Sequence, residues 1–297
     1  MADSVDVIVY TGEINSQGYE AVCEVLAKHK KSTKAVLVLA TPGGNPHAGF
    51  RIARALQHGY ETFDALIPRY CKSAGTLIVI GAAKLMMDDS SELGPLDVQV
   101  QKGDELLGRN SGLDIFQAVN YLQAQSMNAF RNYLMEFTRD GLSTRVASEI
   151  ASGLTSGLFQ PITAQIDPLK LAEMQRATEI AFEYGYRLNE KFGNMRTNGI
   201  QKLVTGYPSH GFVIDRKEAR TIFLEVVRPE GFWSTVSTAL RAEMDKNSSS
   251  TSPQVALYTF EVPSESSANE DTPDAAAGSG SPQAGDATDN GNCEAAG

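Results

Sequence analysis

The first half of the chain alternates short apolar runs with amphipathic segments. Val7 to Tyr10, Ala35 to Ala40 and Ala65 to Arg69 read as strands, and the stretches near Ser16 to Lys30 and Ala48 to His58 carry apolar residues at helical spacing. Strand, helix, strand in this order predicts a parallel sheet with crossover helices, because parallel neighbours cannot be joined by a tight turn. The second half changes character. Helical patterns run from about Leu113 to Phe137, from Leu142 to Leu158 and from Pro168 to Phe192, and in the last of these Leu169, Ala172, Ala177, Ile180, Ala181, Tyr184 and Leu188 mark one face. These helices are expected either to cap the sheet or to form a protruding handle.

No Pro/Gly/Ser-rich linker interrupts residues 1–246, which predicts a single α/β domain, and no internal repeat is found. From Asn247 the composition turns to Ser, Ala, Gly, Asp, Asn and Pro, too poor in apolar surface to offset the entropy of ordering. Residues 247–297 are therefore expected to be a disordered acidic tail. One island, Val255 to Val262, alternates well enough to add as an edge strand to its own or a neighbouring subunit, or else is a sticky stretch in a flexible tail.

Charge sharpens this division. The 297 residues hold 26 Lys+Arg against 36 Asp+Glu, and eight of the acids but no base lie beyond Lys246, so 26 bases face 28 acids in residues 1–246. A nearly neutral body has no basic surplus of the kind that drives nucleic-acid binding. The longest apolar run, about Leu77 to Ala83, is too short to cross a bilayer. The acidic start runs straight into a strand pattern without a basic n-region, so a cytoplasmic location is expected. Cys23, Cys71 and Cys293 form no CxxC pair, which argues against a disulfide framework and a zinc site.

Two turns carry the candidate chemistry, both at the carboxyl ends of strands, where a parallel sheet places its site. In Thr41-Pro42-Gly43-Gly44-Asn45-Pro46, adjacent glycines allow a sharp turn and expose amide N–H groups ahead of a helix. In Lys72-Ser73-Ala74-Gly75, a small polar residue stands between a strand and a hydrophobic helix. Ser73 is there either a nucleophile or a plain N-cap.

The pair resembles the ClpP-like and signal-peptide-peptidase-like serine proteases of the ClpP/crotonase fold, and is most similar to the serine dehydrogenase proteinase (SDH) family. The resemblance extends through Met87 to Gln99, the Ser111-Gly112-Leu113 helix start, Pro161 to Pro168 and Gly206 to Phe212, about residues 5 to 228 in all. It implies a ββα superhelix with a helical second half. It makes Ser73 the nucleophile and the backbone N–H groups of Gly44 (or Gly43) and Ala74 the oxyanion donors.

The general base follows less directly. The ClpP branch has a His about one strand after the nucleophile, and Leu93-Gly94-Pro95-Leu96-Asp97 contains none. The peptide-peptidase branch uses a Lys on a later helix, for which Lys102, Lys170 and Lys202 are in range. His210 lies in Tyr207-Pro208-Ser209-His210-Gly211-Phe212, where the ClpP branch carries an acid close to its site. Histidine suits the base role near neutral pH. The expectation is that His210 activates Ser73, with Asp97 orienting the imidazole or shaping the site. His47 follows the glycine turn and either touches substrate or faces solvent. Cys71 is expected to be a buried, inert thiol. Asp167 and Gln165 either cap the following helix or line the cleft.

A serine endopeptidase acting on peptides or unfolded protein segments through an acyl-enzyme is the leading function, and its chemistry requires no metal or organic cofactor. Two alternatives remain open on the residues: a catalytically inactive peptide-binding scaffold, and a crotonase-type acyl-CoA enzyme. The resemblance further implies a homo-oligomer, with the long Leu113 to Phe137 helix as the expected interface.

Overall fold

In a computed structural model that describes residues 3–96, 99–101, 109–247 and 250–262, the chain builds the expected strand and helix alternation. In order these are β1 (Asp3–Thr11), α1 (Ser16–His29), β2 (Lys34–Ala40), α2 (Pro46–Gly59), β3 (Thr62–Ile67), β4 (Tyr70–Cys71), α3 (Ala74–Ile80), β5 (Leu85–Met87) and β6 (Glu92–Leu93). There follow β7 (Gln99–Gln101), β8 (Arg109–Ser111), α4 (Gly112–Arg139), α5 (Thr144–Thr163), α6 (Pro168–Phe192), α7 (Gly199–Thr205) and α8 (Arg216–Ala219). The last elements are β9 (Val226–Val227), α9 (Gly231–Asn247) and β10 (Gln254–Val262).

A six-stranded sheet in the order β10-β1-β2-β3-β5-β9 forms the centre. All its pairings are parallel except β10 with β1. The strand β2 reads Lys-Ala-Val-Leu-Val-Leu-Ala and is buried at every position after the first, as a strand covered on both faces must be. Successive side chains point to opposite faces. Leu37 and Leu39 join Ile52, Leu56 and Phe63 in the larger core beneath α2 and α3. Val36 and Val38 join Met244, Trp233 and Leu240 of α9 on the other face.

Helix starts follow local chemistry. Asn45 caps α2 by accepting from the His47 and Ala48 N–H groups, with Pro46 at a position whose N–H needs no partner. Asp167 does the same for α6 ahead of Pro168, so of its two expected roles it takes the cap. The helix α5 runs on through Pro161 to Thr163, beyond the expected end near Leu158, with the Gln165 side chain donating to the Pro161 carbonyl.

The expected end of the folded domain at residue 246 is corrected. Val255 to Val262 lie in β10, which pairs antiparallel with β1 of the same chain from Asp3↔Val262 to Thr11↔Gln254. Composition around the island hid this: an eight-residue alternating run is overwhelmed by Ser, Gly and acids on either side, yet β1 offers it a complete row of backbone partners. Beyond Val262 the chain lies outside the described residues.

Candidate active site

The two turns are stitched together by main chain. Thr41, just past β2, forms a parallel bridge with Cys71. The Thr41 N–H donates to the Tyr70 carbonyl at 3.1 Å and the Lys72 N–H donates to the Thr41 carbonyl at 3.0 Å. Gly43 and Gly44 follow with φ of 105° and 138°. A Cβ on Gly43 would stand 2.7 Å from Ser73 Cβ, and one on Gly44 would stand 2.3 Å from the Ile14 carbonyl oxygen. Only glycine satisfies both the dihedral and the close approach. The Gly43 N–H is spent inside the turn, donating to Thr41 Oγ1 at 3.1 Å. Of the two donors named for this position, the one on Gly43 is thus occupied.

Ser73 has φ 49° and ψ −115°, a region that L residues avoid at a cost of roughly 1–3 kcal/mol. It occupies the N-cap position of α3, but its side chain makes no capping bond there. The plain-cap reading of this serine therefore fails. The strained turn is held from both sides: the Gly75 N–H donates to the Lys72 carbonyl at 2.8 Å, and Thr76 Oγ1 bonds the carbonyls of Cys71 and Gly94. Ala74 opens α3 immediately after Ser73.

Cys71 is fully buried, and burial pushes its thiol well above the ordinary range, which Lys72 offsets only in part. It is a packing residue, as expected. Lys72 pairs with Glu92 at 3.2 Å and donates to the Leu93 carbonyl at 3.3 Å. That second contact helps tie β6 to the serine turn.

The candidate bases are distributed as follows. His210 is half-buried in the loop between α7 and α8. That loop is anchored to the serine's own small sheet: Ile214 and Leu93 exchange backbone bonds at 2.9 and 3.0 Å, and Leu93 is the parallel partner of Cys71. Lys202 forms an ion pair with Glu218 at 2.5 Å and donates to Thr221 Oγ1 at 2.9 Å. The bond from Lys202, together with one from Tyr207, holds the Glu218 carboxyl below its ordinary value. Lys170 is exposed on the first turn of α6. Asp97 and Lys102 lie outside the described residues.

His47 has a partner that the sequence did not indicate. Its Nδ1 lies 2.8 Å from the Tyr184 hydroxyl, and Tyr184 stacks on Phe50 with ring centroids 4.1 Å apart. The spacing along α6 marked Tyr184 only as part of an apolar face. Among the described residues no group of three or more His, Cys, Asp or Glu is arranged to hold a metal ion.

Comparison with known proteins gives this geometry a family. Residues 10–192 match the ClpP-like SDH-type serine proteinase family. The chain belongs to that family. Its ββα core, with a glycine turn beside a serine turn, is the ClpP-like arrangement expected, and the SDH-type match takes in Gly43, Gly44, Ser73 and Ala74 while ending before Lys202 and His210.

Two uncharacterized proteins of Methanocaldococcus jannaschii are also similar. One is 29% identical over 164 residues, covering 51% of this chain and 57% of that protein. The other is 28% identical over 136 residues, covering 41% and 44%. The chain thus spans about half the length of these relatives. Among solved structures, two of the 1510-N membrane-bound stomatin-specific protease resemble it. One shows 17% identity and a TM-score of 0.33, covering 50% of this chain and 70% of that one. The other, in complex with a substrate peptide, shows 16% and 0.34, covering 82% and 99%. Among the described residues of the present chain, no helix is long and apolar enough to cross a membrane.

Proposed function

We propose that the chain is a serine peptidase that cleaves peptides or unfolded protein segments through an acyl-enzyme on Ser73. The observation that carries this reading is the backbone of the serine itself: a non-glycine residue held at positive φ against a turn that has no room for a Cβ at Gly43. Strain of this kind persists only where the surroundings impose it, and it is characteristic of functional positions.

In the proposed reaction Ser73 Oγ attacks the scissile carbonyl carbon while its proton passes to the base. The carbonyl oxygen becomes an oxyanion and is received by the N–H groups of Gly44 and Ala74, since that of Gly43 is occupied by Thr41. Collapse of the tetrahedral intermediate breaks the C–N bond, and the base returns the proton to the departing amine. Water then repeats the sequence on the ester and frees Ser73.

His210 is the base in this proposal, with Asp97 orienting it. In its favour stands the anchoring of its loop, through Ile214 and Leu93, to the strand that leads into Ser73. Lys202 is less suited to the role because its ammonium is already engaged by Glu218 and Thr221 Oγ1.

We place the chain in a homo-oligomer built on α5. Val146, Ile150, Leu154, Leu158 and Ile162 recur every fourth residue and stay 38–53% exposed. From Ile150 to Ile166 the chain carries no charged residue. A second copy covering this stripe would remove apolar surface that is costly in water.

The test is labelling by a fluorophosphonate probe, read by intact mass. Wild type should gain one adduct, Ser73→Ala none, and His210→Ala should label at least a hundredfold more slowly while Lys202→Met labels normally. An unlabelled, correctly folded wild type would move the reading to a peptide-binding scaffold.

A further inference from the structure

A chain of contacts runs from the last described residues to the glycine turn. The loop Gly12–Asn15, between β1 and α1, is bound on two sides. On one side the Ile14 N–H donates to the Gly43 carbonyl at 2.7 Å and the Asn45 N–H donates to the Ile14 carbonyl at 2.7 Å. These two bonds bracket Gly44, which is in parallel bridge with Ile14. On the other side, the segment leading into β10 closes over the same loop. The Glu13 N–H donates to the Ser250 carbonyl at 2.8 Å, and Asn15 Nδ2 donates to the Thr251 carbonyl at 2.9 Å. Gly12, at φ 113°, would place a Cβ 2.9 Å from Pro253 Cα, so the two segments are in direct contact.

We infer that the arm formed by residues 250–262 is a brace for the oxyanion turn, with Asn15 its positioning residue. The inference rests on the reading of Gly44 as an oxyanion donor. Loop 12–15 is the mould for Gly43–Asn45, and a loop held only from the turn's side would be free to shift with it. The arm fixes the far side, and nine residues of pairing with β1 fix the arm. The arm lies outside the stretch that matches the family, residues 10–192, so the brace is not part of what the family match itself describes. An oxyanion donor acts through its placement on an atom that becomes charged only in the transition state. A brace of this kind therefore supports the tetrahedral species more than the bound substrate.

The experiment uses the full chain. Asn15 both caps α1, accepting from the Gly18 N–H at 2.9 Å, and reaches the arm. Asn15→Ser keeps a good cap and removes the amide donor, so the fold survives. A peptide boronate, which forms a tetrahedral adduct on the serine, is compared with a cleavable peptide of the same sequence. The expected result for Asn15→Ser is at least a tenfold loss in kcat and in boronate affinity, with KM within twofold and an unchanged melting temperature. Gly12→Ala, which pushes directly on Pro253, should show the same split. Wild-type values for both variants, or a loss of KM and kcat in equal measure, would overturn the brace while leaving Ser73 as nucleophile. A wild type that binds neither probe nor boronate would overturn the reading of the site, and the brace with it.

Discussion

Thr259 Oγ1 donates to Asp6 Oδ1 at 2.8 Å, joining residues 253 positions apart across the pairing of β10 with β1. Asp6 is fully buried and also accepts from the Lys31 and Ser32 N–H groups and from the Tyr60 hydroxyl. Burial alone would raise its carboxyl, but these four donors outweigh it and hold the group below its ordinary value.

Asp6→Asn should therefore cost roughly 3 kcal/mol, because an amide nitrogen would face donors that need an acceptor. Because the native value is lowered, the unfolded chain takes up the proton first as the pH falls. The stabilisation is full above the ordinary aspartate range and disappears as the pH drops through the native value. Thermal melts from pH 7 to pH 3 should show the wild type losing its advantage over Asp6→Asn only at the acid end. A constant gap at every pH would exclude the charged form as the source.

Gly43→Ala should fold and fail to react. Its Cβ would strike Ser73 and the Lys72 carbonyl, and its φ of 105° is strained for any L side chain. Displacing the turn would remove the proposed oxyanion donor of Gly44, so labelling of Ser73 should slow by at least about a hundredfold. Labelling at the wild-type rate would show that the turn is dispensable.

Cys71 should resist alkylation although it stands two residues from Ser73, the proposed nucleophile. It is fully buried with its thiol pushed up, whereas Cys23 is partly exposed. Iodoacetamide at neutral pH, mapped by peptide mass, should modify Cys23 and spare Cys71 until the fold is opened with denaturant. Ready modification of native Cys71 would contradict its packing role.

Leu154→Glu combined with Leu158→Glu should break the proposed assembly. Both side chains stand on the exposed stripe of α5, at 47% and 53% exposure, where a charge costs nothing in the separate subunit but must be desolvated in an interface. Light scattering should report the protomer mass for the double variant and a multiple of it for wild type. Equal masses would place the interface elsewhere.

Much of this architecture is legible in the sequence because its signals are local. The run in β2 has no polar position after Lys34, and the Asn45-Pro46 and Asp167-Pro168 pairs announce helix starts by capping chemistry. The two turns are legible for the same reason, since Gly43-Gly44 and Ser73-Ala74 are contiguous. What escaped depends on long-range placement. Nothing near Thr41 says that it will pair with Cys71, nor does the α6 face say that Tyr184 will reach His47. The arm was obscured because its value lies in β1, some 250 residues earlier, rather than in its own composition. The proposed base, His210, is the least legible part: it is one side chain on a loop, with no periodicity to mark it.

The pairing of the last described strand with the first also sets a timetable. During synthesis β1 leaves the ribosome early, while its partner β10 follows on the order of tens of seconds later at ordinary elongation rates. Until then the loop that moulds the glycine turn has no outer support. On the proposal that the arm braces the glycine turn, a growing chain carries Ser73 well before it carries the arm, and the proposed peptidase activity would arise only after translation has passed Val262.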